Sequence, residues 1–242
     1  MHSVTATLLG SHRPPAFSDR HWCDRLSATR ADDSAMAKPF LTPDAKRALS
    51  EAVHTVESAC GAELMIAVRR RSGSYLDGAL AGAIGGGLAV LAFLLFSPST
   101  FRLEYFLVDP AIFGLLSGVW VSRSPALLRL FTSRRSRQLR VGMAARAAFV
   151  DKHVHRTSRR TGILLYISLL EREAELVADL GIDAAAATPA WQQAVAGIQE
   201  AVRQGEDGVA VAARVRALAP ALAPVCARVE GQVNELDDEV GE

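Results

Sequence analysis

Two long apolar runs divide the chain: Gly78–Phe96, which carries no ionisable or amide side chain, and Phe106–Val121, in which Asp109 is the sole ionisable group. As a helix the first run covers about 29 Å at ~1.5 Å per residue, close to the ~30 Å hydrocarbon core of a bilayer. The pattern predicts a transmembrane hairpin over residues 76–122, with spans at about 78–96 and 105–122. On either side the apolar positions are periodic rather than continuous, as in a domain that faces water.

Before the hairpin, Thr42, Pro43 and Asp44 read as an N-cap, a first helical position and an acid that complements the helix dipole. Ala45, Ala48, Leu49, Ala52, Val53 and Val56 follow at helical spacing, and Gly61 is placed to end the helix. Leu64–Val68 is an apolar run of strand length, expected at the centre of a sheet. After the hairpin, Ala144–His155 predicts a helix broken at Thr161-Gly162. Ile163–Leu169 and Glu173–Asp179 predict a β-hairpin joined through Glu171-Arg172 and closed by Gly181. Pro189 and Trp191 open a helix to about Arg203; Val209 to about Val233 reads as a last helix, kinked or interrupted at Pro220 and Pro224. This order of elements suits an α/β domain in which helices cover a small mixed sheet, its two parts at residues 39–75 and 141–242.

Composition agrees with one modest domain attached to a membrane part. The chain has 242 residues, 50% of them hydrophobic and 22% charged: too apolar for an ordinary soluble protein, too charged for a polytopic transporter. Cys23, Cys60 and Cys226 are odd in number and lack metal-ligand spacing, which suits a reducing compartment. Residues 1–38 show no apolar periodicity and no secretory signal pattern; disorder is expected there, with Met36 as an alternative translation start.

Net charge is only +1, so the placement of charge carries the information. Arg69, Arg70 and Arg71 precede the first span, and Arg123, Arg129, Arg134, Arg135, Arg137 and Arg140 follow the second in a basic juxtamembrane segment, residues 123–140. The connection between the spans has only Arg102, offset by Glu104. The positive-inside rule then puts both flanks and both termini in the cytoplasm, with Arg69–Arg71, Arg134, Arg135, Arg137 and Arg140 against an anionic leaflet. No aromatic interleaving or reader motif accompanies these arginines, and no nucleic-acid partner is expected. Gly78, Gly82 and Gly86, with Gly114 and Gly118, place a flat stripe on each span. Packing within the hairpin is the expected use, with homo-oligomerisation the alternative. Asp109-Pro110 is expected to cap the second span at its outer interface.

Chemistry-bearing patterns are scarce. His153 and His155 alternate instead of sharing a helix face and are expected on a solvated surface; metalloprotease, C-x-x-C, P-loop and nucleophile-elbow motifs are absent. Asp179 and Asp183 flank Gly181 and offer oxygen ligands for a hard cation, though a plain polar turn explains them as well. The acidic cluster Glu235, Asp237, Asp238 and Glu239 is expected to contact the protein's own basic faces or a partner.

Three segments, Thr42–Val68, Ala148–Ile182 and Asn234–Glu239, together resemble the TPM-domain family; Arg160-Thr161-Gly162 and Glu171-Arg172 are the most specific points of likeness. Asp237 departs from it, standing where the family pattern has proline. The resemblance implies a three-layer α/β/α domain and, within the family, a bacterial subgroup whose domain is interrupted by a two-helix membrane hairpin, hence an inner-membrane location. The family includes a thylakoid-lumen protein described as an acid phosphatase and an auxiliary subunit of nematode acetylcholine receptors. It therefore implies either an interaction or assembly-supporting module for other membrane or envelope proteins, which is the function expected here, or a metal-dependent phosphatase-like hydrolase using a divalent cation such as calcium. No catalytic or cofactor-binding residue maps onto this chain.

Overall fold

In the computed structural model, residues 40–186, 188–224 and 226 are described. The expectations for the leader, for Cys23 and for the acidic cluster near the C-terminus lie outside them. Helix α1 (Pro43–Ala59) starts as anticipated: the Thr42 hydroxyl oxygen accepts from Ala45 N–H at 3.1 Å, and its stripe Ala45, Leu49, Ala52, Val53 and Val56 is buried. Its end differs from the expectation, for Cys60 closes it in an extended conformation and Gly61 has no positive φ. Strand β1 (Glu63–Arg69) follows, then the apolar helices α2 (Leu76–Phe96) and α3 (Leu103–Arg123).

Two short corrections concern the stretch that follows. The basic juxtamembrane segment is helical: α4 (Pro125–Phe131) is capped by Ser124, and α5 (Arg134–Asp151) by Ser133, so α5 begins ten residues before the predicted Ala144. Arginine favours helix, and the dense charge hid a buried face made of Val141, Gly142, Ala145 and Phe149. At the other end α5 stops at Asp151 because His153 takes a left-handed conformation, φ 56°, which puts His155 in a separate 3-10 turn (Val154–Arg156). Neither histidine therefore lies on the helix expected to carry them.

Strands β2 (Gly162–Ser168) and β3 (Glu173–Ala178) form the anticipated hairpin. The sheet is mixed: β1 pairs parallel with β2, β2 antiparallel with β3, in the order β1-β2-β3. The central strand is thus β2, not β1. All seven β2 residues are buried and none carries a charge at neutral pH, whereas β1 ends in Glu63 and Arg69. Beyond β3 come a 3-10 turn (Leu180–Ile182), the single-turn α6 (Asp183–Ala186), α7 (Pro189–Gln204), α8 (Gly208–Val215) and α9 (Leu218–Leu222). The long last helix breaks at Arg216–Ala217, one turn before Pro220. A proline ring collides with the carbonyl four residues earlier, here that of Arg216, which instead accepts from Ala219 N–H at 3.2 Å.

Helices pack on both faces of the sheet. Leu64, Ile66, Val68, Ile163, Leu165 and Ile167 meet α1, α7, α8 and α9 on one face. Met65, Ala67, Leu164 and Tyr166 meet Val141, Ala145 and Phe149 of α5 on the other. The period of two along each strand thus feeds two separate cores. Gly162 is required where β2 starts, because a Cβ there would lie 2.2 Å from the Val154 carbonyl oxygen.

The apolar helices pack on each other and present the rest of their surface outward: only 11% and 17% of the residues in their most apolar windows are buried. A core helix of a soluble protein would be mostly covered. Each has 21 residues, about 32 Å at ~1.5 Å per residue, long enough to span a membrane. Glycine sets how closely they approach. A Cβ on Gly82 would lie 2.6 Å from Val121 Cγ2, one on Gly86 2.5 Å from Ser117 Cβ, and one on Gly114 2.8 Å from the Ala83 carbonyl oxygen. Gly118 meets Ala83 in the same way, and Ser117 Oγ donates to the Gly82 carbonyl at 2.9 Å. Gly78 instead faces α4, at Thr132 and Leu128. Pro110 lies within α3, seven positions after its start at Leu103, so Asp109-Pro110 does not cap that helix. The Pro110 carbonyl reaches α2 where Gly87, absent from the predicted stripe, leaves room for it.

Gly114→Ala is expected to destabilise the hairpin by about 1–3 kcal/mol, because its neighbour is backbone and cannot rotate away. Gly85→Ala, with nothing within 4 Å, should be neutral or slightly stabilising. Thermal unfolding of both variants in the same detergent checks the pair.

Candidate functional site at the base of the hairpin

Parallel pairing brings the chain out of β1 at the sheet end where β2 turns into β3. The ladder runs on into that turn: Leu169 N–H donates to the Arg69 carbonyl at 2.9 Å and Leu170 N–H to the Arg70 carbonyl at 2.8 Å. Glu171, next in line, points inward and is only 1% exposed. Its Oε1 accepts from Ser72 N–H at 2.8 Å and from the Tyr75 hydroxyl; its Oε2 accepts from the Ser168 hydroxyl. Arg172 takes a left-handed conformation, φ 51°, which completes the turn.

The hydroxyls extend this into a directed chain. Ser72 Oγ lies 2.7 Å from Ser168 Oγ and 3.3 Å from the Tyr166 hydroxyl. Each hydroxyl has one proton. Ser168 gives its own to Glu171, so Ser72 donates to Ser168, with the Tyr166 hydroxyl beside it. Burial and the bond to Glu171 push the Tyr75 phenol well above its ordinary pKa, so it stays a donor throughout the physiological range. Both Glu171 and Ser168 are shut off from solvent. The arrangement is a lock between turn and hairpin.

Apolar and cationic contacts brace the same joint. Tyr75, Val121, Leu128 and Leu170 form a small buried cluster that unites the first helix entry, α3, α4 and the β2–β3 turn. Arg140 of α5 donates to the Ser74 carbonyl at 2.9 Å and pairs with Asp77 at 2.7 Å, its guanidinium 4.6 Å from the centre of the Tyr75 ring. Arg137 donates to the Arg129 and Thr132 carbonyls at 2.7 and 2.9 Å. Arg140 and Arg137 therefore hold protein to protein. Arg134 pairs with Glu173 at 3.5 Å, Arg69 and Arg70 are half-buried, and Arg71 and Arg135 are exposed.

The other sequence candidates sit at the far end of the sheet. Asp179 is 5% exposed, accepts from Leu180 N–H at 2.8 Å and pairs with Arg160 at 3.2 Å, while Asp183 is exposed. Among the described residues no group of three or more His, Cys, Asp or Glu side chains could hold a metal ion. The Arg160-Thr161-Gly162 turn is shaped locally: Arg160 has φ 56°, Thr161 N–H donates to Thr157 Oγ1 at 3.1 Å, and the Thr161 hydroxyl donates to the Gly61 carbonyl at 2.9 Å. Cys60 and Cys226 are free, buried thiols whose pKa values burial raises.

No protein-family model and no curated protein matches the chain. In fold it is similar to the NMR structure of BA42 protein from the psychrophilic bacterium Bizionia argentinensis, with a TM-score of 0.50 and 14% sequence identity. That alignment covers 84% of this chain and 94% of the other. At such identity the likeness shows a shared fold and nothing about chemistry.

Ser72, Tyr75, Tyr166 and Ser168 carry no local signal that sequence reading could use; they meet only because β1 and β2 run parallel. Glu171→Ala would strand buried donors, each costing about 1–3 kcal/mol, and should expose residues 70–76 to hydrogen exchange while the strands stay protected. Tyr75→Phe should cost less. A double-mutant cycle of Glu171→Gln with Tyr75→Phe should show coupling of about 0.5–3 kcal/mol.

Proposed function

We propose that this chain is a two-span, membrane-anchored TPM-type domain, three-layered α/β/α, that acts as an interaction or assembly-supporting module for other membrane or envelope proteins. The observation that carries the reading is the outward apolar surface of α2 and α3, including Leu80, Ile84, Leu88, Phe93, Leu107, Leu115 and Trp120, each more than half exposed. Water would penalise such a surface at roughly 25 cal/mol per Å², and lipid does not. The lock at Glu171 supports the rest of the reading: a flexible linker suffices for tethering, whereas a buried joint holds the domain at one attitude to its anchor.

In this reading the hairpin lies in the bacterial inner membrane with both termini in the cytoplasm, supported by the arginines that flank its base and their scarcity at its tip. The two parts of the domain then reach the same side and fold together. Lipid is one partner and a membrane or envelope protein the other.

The chain should resist alkaline carbonate extraction from membranes, and release by carbonate alone would refute anchoring. Ser99→Cys, at the tip, should react with an impermeant maleimide from outside the cell while Arg71→Cys should not; the reverse result would invert the topology. Purified in mild detergent, the protein should retain a particular membrane protein identified by mass spectrometry. Recovery alone across several detergents would overturn the interaction role.

A further inference from the structure

Among the described residues β3 pairs with β2 on one side and with no strand on the other. The phase of the ladder shows what that open side offers. Asp179 N–H donates to the Gly162 carbonyl at 2.9 Å, so in the antiparallel register Glu173, Glu175 and Val177 bond to β2, and Ala174, Leu176 and Ala178 turn their main-chain N–H and C=O groups outward. Helices α5 and α7 flank this edge; Ala174 is buried, while Leu176 and Ala178 are partly exposed. A groove of about 340 Å³ lies there, its walls Arg135, Leu139, Met143 and Arg146 of α5 and Gln199 of α7, its floor Glu173–Glu175. A Cβ on Gly142 would make ordinary contact with the Glu175 carboxylate at 3.9 Å.

The walls define what fits. Leu139 and Met143 are 60% and 61% exposed, a large apolar area on an otherwise polar helix. Arg134 is paired with Glu173, and Arg146 faces Glu175. Arg135 has no carboxylate within 4 Å among the described residues. An extended chain laid along β3 would satisfy the outward main-chain groups, rest apolar side chains on Leu139 and Met143, and bring a carboxylate to Arg135. The Arg135 end of the groove also lies toward the hairpin: Glu173 follows by two residues the Glu171 that binds Tyr75 at the start of α2.

We propose that this edge is a strand-addition site, occupied by an extended, carboxylate-bearing juxtamembrane segment of a partner membrane protein. The proposal rests on the interaction-module reading and gives it a location and a ligand chemistry. The short strand and its two glutamates discourage indiscriminate pairing, so selectivity falls to the groove walls.

The test uses the full chain in lipid nanodiscs and synthetic peptides of about six residues, the length of a strand. Their sequences alternate valine with aspartate, valine with lysine, or valine with aspartate around a central proline. Amide hydrogen exchange is followed at Ala174, Leu176 and Ala178. The valine–aspartate peptide should slow exchange at these amides by about tenfold or more; the lysine and proline peptides should not, and Arg135→Glu should shift the preference to the lysine peptide. Unchanged exchange with the valine–aspartate peptide overturns the proposal. Amides already protected in the chain alone overturn it too, because the edge would then be closed by the chain itself or a second copy. If a partner co-purifies but the peptide fails and Arg135→Glu leaves co-purification intact, this site is wrong and the interaction role stands. Peptide binding as described with no partner retained supports the groove and removes the role.

Discussion

Parallel pairing of β1 with β2 obliges the chain to leave one end of the sheet and return at the other, a journey that needs a long crossover. In this protein the crossover holds the apolar hairpin, α4 and α5. The hairpin thus enters a βαβ connection without disturbing a strand. The same geometry sets the β2–β3 turn beside the exit from β1. A buried glutamate on that turn then finds the first residues of the hairpin within reach of both its oxygens.

That meeting gives a polar cluster a structural use. A carboxyl group 1% exposed is costly unless donors surround it, and Ser72, Tyr75 and Ser168 supply them. The cost explains the specificity: any other attitude of the hairpin to the domain leaves the acid unsatisfied. The arginines beside the joint take part through ordinary hydrogen bonds. Arg140 and Arg137 cap carbonyls at the entry to α2 and the end of α4, a use that no count of charges near a membrane would reveal.

The sheet shows what the domain can do beyond holding position. Both of its faces are well covered, and among the described residues no strand pairs with the outer side of β3, which lies between two helices. In the proposed reading, rigid attachment to a bilayer and this strand edge belong together, because an edge held at a fixed attitude would present itself in one direction to proteins in the same membrane.

Much of this was legible in the residues. The uncharged run through Gly78–Phe96, the Thr42-Pro43 cap, the alternation that makes β2 and β3, and the Pro189–Gly205 bounds of α7 are each local: periodicity, capping and helix-breaking act over a few neighbours, and the chain displays them directly. Other features were hidden because they depend on residues far apart along the chain. That β2 rather than β1 is central, that α5 starts at Arg134 beneath a coat of charge, and that the last helix yields a turn before Pro220 follow from packing and from a clash four residues upstream. The polar joint is the extreme case. Ser72 and Glu171 are separated by nearly a hundred positions and no local pattern pairs them; only the register of two parallel strands puts a hydrogen bond between them.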